Sequence, residues 1–411
     1  MKVQYIIWVA MFVFTAGSAE HARAQGHPVT DLRGDWRAAV DVAGGPLRFR
    51  MEIASEEEML SGLLCNAGRC EPFSSVEWLP GDSLLFEIGD FAAAIRAHVT
   101  PDSLVGFYRN VGNRGPRVIP FRAARGEWPV EPPSSQLTGR WDATFDPIER
   151  PSPRVLEFRE TARGLEGTLI SNTGDYGLFW GSAVADSFSM SHFDGSFVYM
   201  LTGELRGDTL FGIFHAGLTS QRPFVAVRAT GEPHLTSPDE LIEPDLSGPF
   251  EFAFPDLTGR IVTHEDPQFQ GKIVIVDIFG TWCSTCHDAA PFLVELYNRY
   301  HERGLEIVGL GYEVTGDPEV DGALVARYAE KFDIPFPLLL AGVNDSDSPS
   351  ETQPQLDGSI AFPTTIFLDR TGHVRRVHAG FYGPATGAAH DELKRDFIEF
   401  VEELLGEPEI N

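Results

Sequence analysis

The sequence predicts a multidomain chain in which two tandem all-β modules, antiparallel barrels or sandwiches, precede an α/β domain. Three observations carry that prediction. A pattern recurs at a spacing of about 105 residues in the N-terminal half, short alternating runs bounded by Gly, Asp and Pro fill both copies, and helical stripes alternate with continuous apolar runs from residue 247 onward. A chain of 411 residues is too long for one core, and its 41 Gly and 29 Pro suit turn-rich modules. The 60 acidic against 32 basic residues give a net charge of -28, which argues against nucleic-acid or anionic-membrane partners because the long-range field is repulsive.

Residues 1–24 read as an export signal. Lys2 supplies the positive start, Tyr5 to Phe14 the apolar stretch, and Ala22-Arg23-Ala24 the cleavage site before Gln25. No cysteine stands there to take a lipid, so the expectation is an exported protein, periplasmic or beyond, that is soluble after cleavage. No later segment is long and apolar enough to span a bilayer.

The two modules are expected at 30–126 and 136–231. Leu32-Arg33-Gly34-Asp35-Trp36 matches Leu137-Thr138-Gly139-Arg140-Trp141, Leu60-Ser61-Gly62 matches Leu165-Glu166-Gly167, and Phe121-Arg122-Ala123 matches Val227-Arg228-Ala229, the mark of a tandem duplication. Runs such as Arg48 to Ile53 and Phe224 to Arg228 alternate as strands do. Each copy resembles the lipocalin-like (calycin) barrels, with Gly-x-Trp on the first strand and an Arg on the last strand packed across the Trp face. That resemblance implies the pairs Trp36 with Arg122 and Trp141 with Arg228. The Pro/Glu/Ser-rich stretches around 126–136 and 232–246 read as linkers.

From 247 to 408 the pattern changes class. Ile273 to Phe279 is apolar except for Asp277, as in a strand covered on both faces. Ala289, Phe292, Leu293, Leu296, Tyr297 and Tyr300 form one helical stripe, Leu305 to Leu310 is the next strand, and Gly322 to Phe332 the second helix. Strands at Phe336 to Leu340, Thr364 to Asp369 and His373 to Gly380 and a closing helix with Leu393, Phe397, Val401 and Leu404 complete a β-α-β-α-β-β-α order, that of thioredoxin.

Within this frame, Asp277-Ile278-Phe279-Gly280-Thr281-Trp282-Cys283-Ser284-Thr285-Cys286, Pro291 and the downstream Phe362-Pro363-Thr364-Thr365 together resemble the TlpA-like family of thioredoxin-fold proteins. Cys283 falls where a buried strand gives way to a helix, so a surface sulfur there would face free amide N–H groups and the positive helix end, both of which favour a thiolate. Cys286, one turn deeper, is expected to be shielded and to resolve the mixed disulfide. An isolated carboxylate in a buried strand should have a raised pKa. Its position resembles that in thioredoxin, although many TlpA-like proteins carry Asn or another residue there, and this implies that Asp277 accepts the proton of Cys286; a merely structural Asp is the alternative. The resemblance also implies a cis bond before Pro363, with Trp282 and Phe362 flanking the sulfur as apolar surface for substrate. No cofactor beyond the redox-active Cys283–Cys286 disulfide is expected, and no metal, since tetrahedral zinc would need a second ligand pair.

Gly280 stands where thioredoxins usually have Ala, and Ser284-Thr285 is neither of the familiar active-site dipeptides, which leaves the potential unassigned. His287 is expected to face solvent, with thiolate stabilisation as the alternative. Gly342 to Gly358 reads as a solvated acidic insertion or a lid. Cys65 and Cys70 resemble a hairpin tip closed by a structural disulfide, or else a second exchange-active pair.

The leading function is thus a thiol–disulfide oxidoreductase acting on protein disulfides, a reductase by resemblance, supplied with electrons by a membrane thiol transducer. An oxidase or isomerase would use the same residues. The other class is a protein whose β-modules bind a ligand or partner while the α/β domain serves as scaffold.

Overall fold

The computed structural model describes residues 31–56, 59–111, 116–129, 136–231, 234–345, 348–357 and 360–408. The signal expected at 1–24 and part of the first linker lie outside these residues.

Alternating side chains build the first module. In β2, Leu47, Phe49, Met51 and Ile53 point inward while Arg48 and Glu52 face out, the period-two pattern of a strand with one covered face. Its strands are β1 (Gly34–Val42), β2 (Gly45–Glu56), β3 (Met59–Asn66), β4 (Arg69–Pro72), β5 (Ser75–Leu79), β6 (Ser83–Ile88), β7 (Ala93–Val99), β8 (Ser103–Asn110) and β9 (Arg117–Arg125). They run β2-β1-β9-β8-β7-β6-β5-β3, and β3 returns to β2, closing a ring of eight with β4 appended to β3. The second module repeats the plan as a closed barrel in chain order: β10 (Gly139–Phe145), β11 (Ser152–Thr161), β12 (Gly164–Ser171), β13 (Gly174–Val184), β14 (Ser187–Phe193), β15 (Val198–Arg206), β16 (Thr209–Ala216) and β17 (Ser220–Arg228). Closure pairs each ring strand on both sides.

The duplication extends to atomic detail. Trp36 and Trp141 are buried, and each indole N–H donates to the carbonyl four residues back, Leu32 and Leu137, at 2.9 Å in both. Arg228 lies over Trp141 at 3.8 Å as expected, but Arg125 covers Trp36 at 4.8 Å, and the expected Arg122 does not. Strand parity explains the correction. Phe121 and Ala123 point inward, so Arg125 shares their side and sits opposite Trp36, whereas Arg122 points out and pairs with Asp41.

The α/β domain comprises β18 (Glu243–Pro244), β19 (Ala253–Pro255), β20 (Ile261–Thr263), β21 (Ile273–Phe279), α1 (Ser284–Tyr300), β22 (Leu305–Glu313), α2 (Pro318–Lys331), β23 (Leu338–Val343), α3 (Ser348–Thr352), β24 (Leu356–Asp357), β25 (Thr364–Leu368), β26 (Val374–Ala379) and α4 (Ala388–Gly406). The central sheet runs β23-β22-β21-β25-β26, parallel from β21 to β23 and antiparallel from β21 through β25 to β26. Every residue of β21 is buried. Ile273, Ile275 and Phe279 pack against the helices α1 and α4, while Val274, Val276 and Ile278 fill the opposite core.

Two stretches read as loop or linker are more ordered than expected. Short β18, inside 232–246, pairs with β24, and Asp239 bonds His378 at 2.6 Å and Arg376 at 2.8 Å, tying this stretch to the α/β domain. The acidic stretch 342–358 contributes α3 and β24. Among the described residues no helix is long and apolar enough to cross a membrane. The three domains group as one compact unit.

Candidate active site

Strand β21 delivers the chain into a short turn and then α1, with Cys283 as the residue before the first helical turn. Cys283 is extended, with φ -96° and ψ 111°, and its Sγ accepts from the Cys286 amide at 3.4 Å. This is the geometry in which a helix start donates to a side chain. Gly280 has a physical reason to replace Ala: a Cβ there would lie 2.3 Å from the indole nitrogen of Trp282, which packs back to donate to the Tyr312 carbonyl at 2.8 Å.

The distant proline motif meets the cysteines as the resemblance implied. The Phe362–Pro363 peptide is cis, the Phe362 carbonyl accepts from the Cys283 thiol at 3.4 Å, and the Phe362 and Trp282 rings meet edge to face at 5.0 Å. Both cysteines are free thiols. Cys286 is 1% exposed, and its thiol is pushed well above the ordinary value by burial first, then by its neighbour Cys283 and by the charge of Asp277. Asp277 lies on the helix-facing side of β21. Burial raises its pKa to about 7, and its Oδ1 has no hydrogen-bond partner among the described residues.

The expected surface sulfur is a correction: Trp282 is 8% and Cys283 only 4% exposed. The barrels cover them, a long-range contact that no local sequence pattern encodes. His287 is likewise buried rather than solvent-facing. Its Nε2 meets the Thr281 carbonyl at 2.8 Å, and its ring packs against Phe91 of the first barrel (4.4 Å, tilted) and edge to face with Tyr328 (5.1 Å) and Phe332 (5.4 Å).

Sequence reasoning also missed Glu313. It ends β22, and its carboxylate accepts from the Thr281 amide and hydroxyl, both at 2.8 Å, while burial raises its pKa to about 7. The signal that marked Asp277, an acid in an otherwise apolar strand, was available there too. A cavity of about 310 Å³ lies beside the active turn, lined by Ser284, Thr285 and Asp288 of α1 and by Leu64, Arg69 and His192 of the barrels.

Cys65 and Cys70 are joined across β3 and β4 by a disulfide. Leu64 faces the ring interior, so Cys65 points to the outer face, opposite Arg50, whose guanidinium donates to both sulfurs at 3.1 and 3.3 Å.

Residues 244–390 match the Redoxin family model. With the sheet order above, that match makes the C-terminal domain a thioredoxin-like fold. Relatives include proteins named thiol-disulfide oxidoreductase ResA: that of Geobacillus thermodenitrificans (strain NG80-2) is 29% identical over 120 residues, which is 28% of this chain and 60% of the relative. That of Bacillus thuringiensis subsp. konkukian (strain 97-27) is 31% identical over 106 residues, 26% of this chain and 54% of the relative. The chain thus spans 60% or less of the length of these two curated relatives. Among solved structures, a thioredoxin-family thiol:disulfide interchange protein from Chlorobium tepidum TLS is 25% identical, covering 40% of this chain and 98% of that one, with a TM-score of 0.30. A DsbF homologue from Corynebacterium diphtheriae is 18% identical, covering 42% and 100%, with a TM-score of 0.32.

Proposed function

We propose that this chain is an exported thiol–disulfide oxidoreductase of the TlpA-like type that reduces protein disulfides through Cys283 and Cys286. The observation that carries the reading is the arrangement of Cys283 at the start of α1, Cys286 one turn below it, and the buried carboxylate of Asp277 on the helix-facing side of β21. The family match over 244–390 and the ResA relatives support the same chemistry.

The thiolate of Cys283 attacks one sulfur of a client disulfide, forming a mixed disulfide and expelling the other client sulfur as thiolate. The helix-start amides stabilise the attacking anion, and the Phe362 carbonyl beside the cis peptide lies where client backbone can align. Cys286 then passes its proton to Asp277 and attacks Cys283 Sγ, releasing the second client thiolate and closing the Cys283–Cys286 bond. The client gains two electrons, and the pair loses them. A membrane thiol transducer outside the cytoplasm would restore the dithiol. Cys65–Cys70 serves as a structural clamp on the first barrel.

The test is trapping with Cys286→Ser. Mixed disulfides through Cys283 should accumulate with exported cysteine-containing proteins, and the wild-type couple should lie near about -270 mV rather than about -120 mV. A couple at the latter value makes the protein an oxidant, and a variant that captures nothing removes the enzyme reading.

A further inference from the structure

An exchange enzyme must present its attacking sulfur to a client, yet Cys283 is 4% exposed. Two segments of the second barrel lie against the chain around it. The first is Asp194–Phe197, between β14 and β15. The Asp194 carboxylate accepts from the Ser196 and Phe197 amides at 2.8 and 2.7 Å, which fixes the turn. Ser196 Oγ then donates to the carbonyl of Trp282 at 2.8 Å, one residue before the reactive cysteine. From behind, Tyr108 and Asn110 of the first barrel donate to the carbonyls of Gly195 and Ser196, both at 2.9 Å.

The second segment is the turn from β12 to β13. Gly174 forms a parallel bridge with Phe381, next to Gly380, whose amide donates to the carbonyl of Pro363 at 2.7 Å. The approach leaves no room for a side chain: a Cβ on Gly174 would fall 2.3 Å from the Phe381 carbonyl oxygen, and one on Gly380 would fall 2.0 Å from that of Thr173. Asp175 accepts from the Gly383 amide, and Thr285, between the two cysteines, reaches the Asp175 carbonyl at 3.5 Å. The barrel therefore sets its own backbone against residues 381–383, beside the Gly380 amide that bonds the cis proline's carbonyl.

The joint between the barrels and the α/β domain differs in kind from the joint between the barrels. Phe193, Val198 and Met200 of the second barrel belong to the apolar core of the first, with Phe49 and Phe193 4.7 Å apart. The buried members of the α/β cores all come from that domain itself. Across this second joint lie three polar contacts, Ser196 to Trp282, Asp175 to Gly383, and the ion pair of Arg69 with Asp288 at 2.9 Å alongside the cavity, together with Phe91 on the His287 ring and Phe197 against the α/β core. Water replaces the polar contacts at small net cost, and uncovering Phe91 and Phe197 costs less than parting the barrels, which would expose a whole shared core.

We propose that the two barrels move as one cover seated on the redox face, and that a protein client reaches Cys283 only when this cover lifts. The inference rests on the oxidoreductase reading above. Closed, the cover shields the dithiol from wasteful exchange; a client must displace the 173–175 and 194–197 segments to reach Cys283 and the Phe362 carbonyl.

The experiment measures iodoacetamide alkylation of Cys283 in the reduced full-length protein, wild type against Ser196→Ala/Arg69→Ala, with insulin reduction measured in parallel. Neither substituted residue takes part in exchange. Removing one neutral hydrogen bond and one ion pair should raise the open fraction, and the alkylation rate with it, by about tenfold. A wild-type Cys283 alkylated as fast as in the unfolded chain, or a well-folded variant no faster than wild type, overturns the cover. Should the variant not fold, hydrogen exchange of the wild-type fold decides. In a Cys286→Ser protein trapped with a client, the amide of Gly383, which donates to Asp175 of the barrel, should lose protection relative to the free protein, and unchanged protection overturns the proposal. Faster alkylation of the variant without insulin reduction by either protein supports the cover while sinking the oxidoreductase reading; insulin reduction by a wild type whose Cys283 is already fully reactive does the reverse.

Discussion

Asp277→Asn isolates the energetics of the buried carboxylate. In the folded protein its pKa is about 7, raised by burial, against about 3.9 in an unfolded chain. A carboxylate whose folded value is raised holds its proton more tightly in the native state, so its stabilising contribution is complete below the unfolded pKa and disappears as pH rises through the folded one. Between about pH 5 and about pH 8 the loss from this single group comes to about 2.5 kcal/mol, taking 1.36 kcal/mol per unit of differential protonation. Asn cannot ionise, so the variant escapes that loss. Glu313 and Asp175, also raised by burial, to about 7 and about 6, add a decline of the same sign to both proteins and cancel in the comparison. Denaturant unfolding of the α/β domain at several pH values gives the difference in stability between wild type and variant. It should shift in favour of the variant by about 2.5 kcal/mol from acid to mild alkali. A difference that stays constant across that range refutes the assignment of a near-neutral titration to Asp277, and with it the physical basis for its accepting the Cys286 proton.

Two further outcomes follow from the barrels. Arg125→Ala should cost about 1–2 kcal/mol in thermal or denaturant unfolding, through lost contact with the Trp36 face and lost bonds to the Pro101 and Arg33 carbonyls. Arg122→Ala, which breaks only an exposed pair, should change stability by less than about 0.5 kcal/mol, and the reverse order would contradict the strand register. Replacing Cys65 and Cys70 together by Ser should lower the stability of the first barrel by about 2 kcal/mol. Because these sulfurs point to the outer face of their hairpin, insulin reduction should be unaffected; a loss of turnover in a folded variant would revive the relay reading.

What could be read directly from the chain is whatever depends on neighbours close in sequence. Alternation within Arg48 to Ile53, the apolar run of Ile273 to Phe279 and the stripe along α1 fix strand, buried strand and helix, because side-chain period and backbone geometry are tied residue by residue. Cys283 and Cys286 sit one helical turn apart for the same reason, and the unpaired acid of Asp277 stands out inside its strand. The Arg that covers Trp36 was missed by three positions, since matching the repeats by letters does not count which side of the strand a residue faces.

Tertiary structure alone decided how accessible the chemistry is. His287 is packed by Phe91, and the chain around Cys283 is met by Ser196 and by Asp175 at the start of β13, all supplied from domains distant along the chain, and no periodicity around the WCxxC motif carries that information. The barrels share an apolar core with each other and meet the α/β domain through polar contacts and the rings of Phe91 and Phe197. Local sequence dictates the reactive groups through short-range backbone geometry; whether a client can reach them depends on contacts between surfaces that only folding brings together.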